Sequence, residues 1–351
     1  MSRLDKLRDM FSDGYDAYLM TSEINIRYIS GVDYTDGFLL ITREKAYLLA
    51  DSRYIEVARR TADEQFVVVL LSGKRADMIK SLIPSGSAIG YEDNIMTCAE
   101  LSAFEAAMPD YTFKAAGGLT EILRNIKDES EKQSVIKAQR ITEAAFEHVL
   151  GIISPEITER EVALELEYYM RKHGADGIAF DTIAVSGASS SLPHGVPADK
   201  KLERGFLTMD FGAKYNGYCA DMTRTVCIGK PDEEMKRIYD TVLEAQKAAI
   251  EYISAGKKCS DCDKTAREII NNSGYGGCFG HSLGHGVGLY IHEEIHLSAS
   301  SGKNLEAGNI VTVEPGIYIE GKYGVRIEDM LYVTENGNEN LTRADKKLLV
   351  L

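Results

Sequence analysis

Phe206-Leu-Thr-Met-Asp-Phe-Gly-Ala-Lys-Tyr-Asn-Gly-Tyr-Cys-Ala-Asp-Met-Thr-Arg-Thr-Val226 sets two apolar runs on either side of Asn216-Gly217. Both central positions of a tight hairpin turn need positive φ, and Asn-Gly adopts it with little strain. The stretch therefore reads as a hairpin in which Tyr215 opposes Tyr218, Asp210 opposes Thr223 and Asp221 opposes Gly212. Residues 210 and 212 share a face of their strand, so Asp210 and Asp221 become diagonal neighbours on one face of the sheet. Two aspartates on the inner face of an apolar hairpin repel each other and resist burial. Each could instead face solvent or cap a turn, but the shared face favours a cation between them.

Further along, Gly280-His-Ser-Leu-Gly-His-Gly-Val-Gly-Leu-Tyr-Ile-His-Glu293 packs glycine and histidine closely. So many glycines exclude a regular helix and let backbone approach a ligand. The segment reads as a histidine loop built on His281, His285 and His292. Asn309-Ile-Val-Thr-Val-Glu-Pro-Gly316 reads as a strand with Glu314 at its end. Gly324-Val-Arg-Ile-Glu-Asp-Met-Leu-Tyr-Val333 reads as another strand. Alternation puts Arg326, Glu328 and Met330 on one face, and Val325, Ile327 and Asp329 on the other. A plain salt bridge between Glu328 and Arg326 is the bland alternative. Asp210, Asp221, Glu314 and Glu328 bring negative charge that two divalent ions would neutralise, with His285 as a neutral nitrogen ligand. With no cysteine in the set, Mn²⁺, Co²⁺, Fe²⁺ or Zn²⁺ suits it better than a thiolate zinc site.

The whole chain of 351 residues is long enough for two domains. Its formal net charge of −14, with no Lys/Arg cluster, argues against nucleic acid and for small molecules or peptides. No stretch is long and apolar enough to span a bilayer, and the first residues lack a signal-peptide core. Cys98, Cys219, Cys227, Cys259, Cys262 and Cys278 form no disulfide-like framework, so a reducing cytoplasm is expected. Cys259 and Cys262 could form a redox or zinc pair, but Ser260 and Asp263 read better as a helix-opening box.

The first ~115 residues alternate short strands and helices by periodicity. Leu4, Leu7, Met10 and Phe11 share a helical face. Strands are expected at residues 38–41, 46–50, 66–71 and 88–91, with a capped helix opening at Thr97 and Glu100. This part contains no histidine and no metal-like cluster of acids. A charged helical stretch over 119–131 marks the boundary, giving an α/β domain over 1–122 and a second domain over 123–351. In the second, one long helix carries Val135, Ala138, Ala145 and Val149. Another opens at Thr158-Glu161 and stops before Gly174, and two more span 233–253 and 261–273. Helices over one face of a mostly antiparallel sheet make this an α+β domain.

Taken in order, Asp210, Asp221, His285, Glu314 and Glu328, in MDFGAKYNGYCADMTRT, GHSLGHGVGLYIHE, VEPGIYI and GVRIED, resemble the pita-bread metallopeptidases. SGASSSLPHG, carrying His194, narrows the resemblance to the aminopeptidase P and prolidase family. It covers residues ~130–351 strongly, and the first domain is similar to the creatinase/prolidase N-terminal domain. The resemblance implies cleavage of the bond preceding proline at the amino end of peptides, by an aminopeptidase or a dipeptidase. It implies two divalent ions, manganese foremost, bridged by Asp221 and Glu328 and completed by Asp210 on one ion and by His285 with Glu314 on the other. His194, His281, His292, Tyr318 and Arg326 match positions that line the substrate site. Glu314 would handle the proton, and His292 or His194 would steady the oxyanion. A homodimer is implied as well. Tyr290 and Glu294-Ile295 depart from the family's commoner residues, which bears on substrate preference. A binding module that has lost catalysis, or a metal-free creatinase-like hydrolase, would share the fold. The complete ligand set argues against both.

Overall fold

The computed structural model describes residues 1–11 and 14–351. They form two compact units, Met1–Arg124 and Asn125–Leu351.

In the first unit, a six-stranded mixed sheet runs in the order Phe66–Leu70, Ala46–Ala50, Phe38–Thr42, Ala17–Met20, Ala88–Tyr91, Thr112–Ala115. The capping box at Thr97 forms as expected: its side chain accepts from the Glu100 amide, and Glu100 reaches back. Leu4, Leu7 and Phe11 are buried, whereas Met10 is only half-buried. Two strands lie outside the sequence expectation. Ala17–Met20 is buried on both faces and shows no alternation, and Thr112–Ala115 is an edge strand with little apolar character.

The second unit contains two cores, each a helix pair over antiparallel strands. Glu129–Leu150 and Glu159–Lys172 pack Val149, Val162, Leu166 and Met170 against Leu207, Met209, Phe211 and Val226. Glu233–Tyr252 and Cys259–Ile270 pack Ile238, Val242, Cys262 and Ala266 against Val311, Val313, Val325 and Ile327. The helix-bearing face takes Met209 and Phe211, so Asp210 between them points the opposite way. The same alternation turns Thr312 away from Val311 and Val313, and Arg326 and Glu328 away from Val325 and Ile327. The polar residues thereby collect on one side.

The hairpin folds in the expected register. Tyr215 pairs with Tyr218, Phe211 with Met222 and Asp210 with Thr223. Asn216 and Gly217 take φ of 48° and 74°, as the tight turn requires. Gly212 lies so close to the neighbouring strand that a Cβ there would fall 1.9 Å from the Ala220 carbonyl oxygen. Glycine permits the approach that brings Asp221 beside Asp210.

Three local expectations are corrected. The fourth helix begins at Cys259, its N-cap is Lys258, and no side chain caps it. Asp263 is instead buried, pairing with Arg267 at 2.7 Å and accepting the Leu283 amide at 3.1 Å. The charged stretch at the boundary divides into Leu119–Asn125 and a helix from Glu129 capped by Asp128. His285 lies on a strand rather than in a loop: Gly284–Gly286 pairs with Glu293–Leu297, with a bulge between His285 and Gly286. Cys259 and Cys262 are buried core thiols, and burial pushes the Cys262 thiol up to about 12, so neither behaves as a reactive pair.

Candidate active site

Asp221 leaves the hairpin 4 % exposed, with the Glu328 carboxylate 1 % exposed nearby. Ligand atoms of Asp221, His285 and Glu328 lie within 4.8 Å of one another. His285 Nε2 is 3.4 Å from Asp221 Oδ2 and 3.4 Å from Glu314 Oε1. The other ring nitrogen, Nδ1, faces the Gly286 carbonyl at 3.1 Å. A proton there leaves Nε2 as a lone pair aimed at the acids, the tautomer a metal-binding imidazole adopts. Asp210 gives one oxygen to Arg326 at 2.6 Å. Its Oδ1, like Oδ1 of Asp221, is buried without a hydrogen-bond partner.

This arrangement is electrostatically unfavourable by itself. Burial, followed by the charges of Asp210 and Glu314, pushes the Asp221 carboxyl well above its usual range. Glu328 rises likewise through burial and then through Asp221. Glu314 rises through burial, opposed by His285 and Arg326. Buried carboxylates with free lone pairs, a correctly oriented imidazole and no thiolate together fit divalent cations.

A layer of threonines aims the carboxylates. Thr223 donates to Glu328 Oε2 at 2.7 Å and accepts from Arg326 Nε at 2.9 Å. Thr312 donates to Glu314 Oε1 at 3.0 Å and accepts the His285 amide at 3.0 Å. Both were missed in the sequence, although each stands two residues from an acid on the same strand face. The bland alternative for Arg326 is also corrected: its ionic partner is Asp210 rather than Glu328. Its remaining contacts go to the Tyr318 hydroxyl at 2.7 Å and the Pro193 carbonyl at 3.2 Å.

The histidines surround the acids at different depths. His281 directs Nδ1 to its neighbour's carbonyl at 2.9 Å, and Nε2 lies 3.0 Å from the Tyr318 hydroxyl. Burial and then Arg326 lower His281 to about 4, so it is neutral at pH 7. His292 stacks edge-on against His285 with centroids 4.3 Å apart, and burial followed by His285 lowers it to about 4. His194 is exposed on the cavity wall. His296 lines the same cavity and stands opposite His285 in the strand pair. His148 and His173 instead flank the Tyr169 ring, at centroid distances of 4.5 and 3.8 Å. All these cavity groups surround a space of about 750 Å³.

Residues 133–335 match the model of metallopeptidase family M24, and residues 3–126 match the creatinase/prolidase N-terminal domain. An uncharacterised peptidase of Bacillus subtilis is 42 % identical over 99 % of this chain and 100 % of its own length. The structure of an Xaa-Pro dipeptidase from Bacillus anthracis superposes with a TM-score of 0.96, at 43 % identity over 99 % of both chains. An X-Pro aminopeptidase from Thermotoga maritima gives a TM-score of 0.89, at 39 % identity over 96 % of this chain and 98 % of its own. No helix among the described residues is long and apolar enough to cross a membrane. With a pita-bread domain following a creatinase/prolidase N-terminal domain, the chain belongs to metallopeptidase family M24, within the aminopeptidase P and prolidase family.

Proposed function

We propose that this protein hydrolyses the peptide bond preceding proline at the amino end of peptides, as an Xaa-Pro aminopeptidase that also takes dipeptides. The observation that carries the reading is the convergence of Asp221, Glu314 and Glu328 on His285, with one buried, partnerless oxygen on each of Asp210 and Asp221. Asp210, Asp221, His285, Glu314 and Glu328 would hold two divalent ions, manganese foremost. Divalent ions held there supply Lewis acidity towards water and towards the scissile carbonyl.

The chain's own groups do the rest. Glu314, set by Thr312 at the edge of the acids, orients water and carries a proton to the departing proline nitrogen. His292 and His194 face the cavity as hydrogen-bond donors for the oxyanion; a neutral His292 offers one N–H for that task. Arg326 holds Asp210 and, through the Pro193 carbonyl, the segment carrying His194. The acidic cluster favours a free amino group beside it, which selects the amino end of a peptide. Proline nitrogen has no N–H, so enzymes that read substrate as an added strand lose a hydrogen bond there. A site organised around the carbonyl avoids that dependence. Relatives named as Xaa-Pro dipeptidases favour a second reading, a strict dipeptidase. The proposal extends to a cytoplasmic homodimer.

The test combines metal analysis with a peptide panel. Two ions per chain, loss of turnover on chelation and recovery with Mn²⁺ are expected. Ala-Pro and Ala-Pro-Yaa peptides should be cut and Ala-Ala peptides spared. Full activity in metal-free protein, or equal turnover of Ala-Ala, would overturn the reading.

A further inference from the structure

The cavity does not end at the acids and histidines. Its outer wall is the helix Glu159–Lys172, which presents Arg160, Ala163, Leu164 and Glu167. That spacing is one helical face. Val162, Leu166 and Met170 on the other face are buried in the core. Leu164 is 57 % exposed, and Val196, on the segment beside His194, is 84 % exposed. An exposed leucine is ordinary by itself. Here two large apolar side chains border one cavity continuous with the acids, and Phe180 lines it too.

A strict dipeptidase needs a cation just behind proline to hold the dipeptide's carboxylate. Arg326 is poorly placed for that work. Its donors go to Thr223, Tyr318, the Pro193 carbonyl and Asp210, and its side chain is 3 % exposed. Among the described residues lining the cavity, the other Lys or Arg is Arg160, in a 3.3 Å ion pair with Asp199. Glu167 and Asp181 add negative charge to the same wall. Among the described residues lining the cavity, no Lys or Arg therefore stands unengaged behind proline, and a continuing, uncharged chain meets no opposing charge there. The volume points the same way. At roughly 30 Å³ per water-sized group, 750 Å³ exceeds what a small Xaa-Pro dipeptide fills.

Resting on the proline-directed reading above, we infer that the cavity holds a subsite for the residue after proline, and that this residue is apolar and lies against Leu164 and Val196. The contact acts on specificity and leaves the reacting groups to the inner cavity.

The test compares kcat/KM of the metal-loaded enzyme on Ala-Pro, Ala-Pro-Leu-amide and Ala-Pro-Ser-amide, in wild type and in the Leu164→Ser/Val196→Ser double variant. Wild type should prefer the leucyl over the seryl peptide by roughly tenfold, the scale of one apolar contact. In the double variant that ratio should fall towards one, mainly through KM, with metal content and melting temperature retained. An unchanged ratio, or turnover of Ala-Pro with neither longer peptide, would overturn the subsite while leaving proline-directed hydrolysis intact. Failure to cut any of the three proline peptides would overturn the underlying reading, and the inference with it.

Discussion

Glu328 and Asp329 are consecutive acids, 1 % and 0 % exposed, and they have opposite fates. Asp329 points to the structural side, where Arg224 meets it at 2.8 Å, Lys346 at 2.6 Å and Asn340 at 2.7 Å. Although burial raises its carboxyl, Arg224 and Lys346 prevail and hold it below the usual range. Glu328 points to the cavity, where Thr223 is its hydrogen-bond donor and its neighbours are other acids, so its carboxyl rises. Burial is the same on both sides of the strand. What differs is whether the protein supplies the counter-charge. Asp329 is completed from within the chain, and Glu328 waits for something from outside.

The sharpest way to break this contrast is to neutralise one acid at a time. Glu328→Gln keeps the shape and the Thr223 contact but removes a charge. Turnover of proline peptides should fall about a thousandfold, the scale of losing a group that stabilises developing charge, with loss of bound ion. Metal-free Glu328→Gln should melt no lower than metal-free wild type, because repulsion is relieved. Asp329→Asn should do the reverse. It leaves Arg224 and Lys346 facing a neutral amide in a buried site, and urea denaturation should show a loss of about 3 kcal/mol. Normal activity in Glu328→Gln, or unaltered stability in Asp329→Asn, would erase the distinction.

A somewhat smaller effect separates the histidines. His292→Ala should lower kcat roughly a hundredfold while retaining the ions, as for a lost oxyanion donor. His285→Ala should lose metal as well as activity. Equal metal content in both variants, read by elemental analysis, would mean that the 4.3 Å ring contact is merely packing.

The same contrast explains what the sequence discloses. Alternation through Asn216-Gly217 placed Asp210 and Asp221 on one face because a two-residue turn leaves no freedom in the register. Alternation likewise separated Glu328 from Asp329. It could not tell which face held the counter-charge, because Arg224 comes from a strand a hundred residues earlier and Lys346 from beyond the sheet. Arg326 was legible as a cation beside acids, but its choice of Asp210 depends on how two hairpins meet. The strand Ala17–Met20 escaped because burial on both faces leaves no period to read. The cavity wall at Leu164 escaped for a related reason. An apolar residue on the outer face of an amphipathic helix carries no local mark of what it faces.

The smallest expected effect, and the most diagnostic, is the pH dependence of the metal-free protein. Asp221, Glu314 and Glu328 have folded-state carboxyls raised above their unfolded values near ~4. A group with a raised folded pKa binds more protons folded than unfolded. Its stabilising contribution is therefore complete below the unfolded value and is lost as pH climbs through the folded one. Asp329 has the opposite sign: its contribution is present above the unfolded value and disappears as pH falls. Scanned from pH 5 to 8, chelated protein should therefore lose melting temperature as pH rises, because the three cavity acids outnumber Asp329. Glu328→Gln should flatten that slope and Asp329→Asn should leave it. Added Mn²⁺ should reverse it, because the ion competes with protons for the same oxygens and gains as they leave. A chelated wild type whose melting temperature is flat across this window would mean that the cavity acids are satisfied without a cation, as Asp329 is.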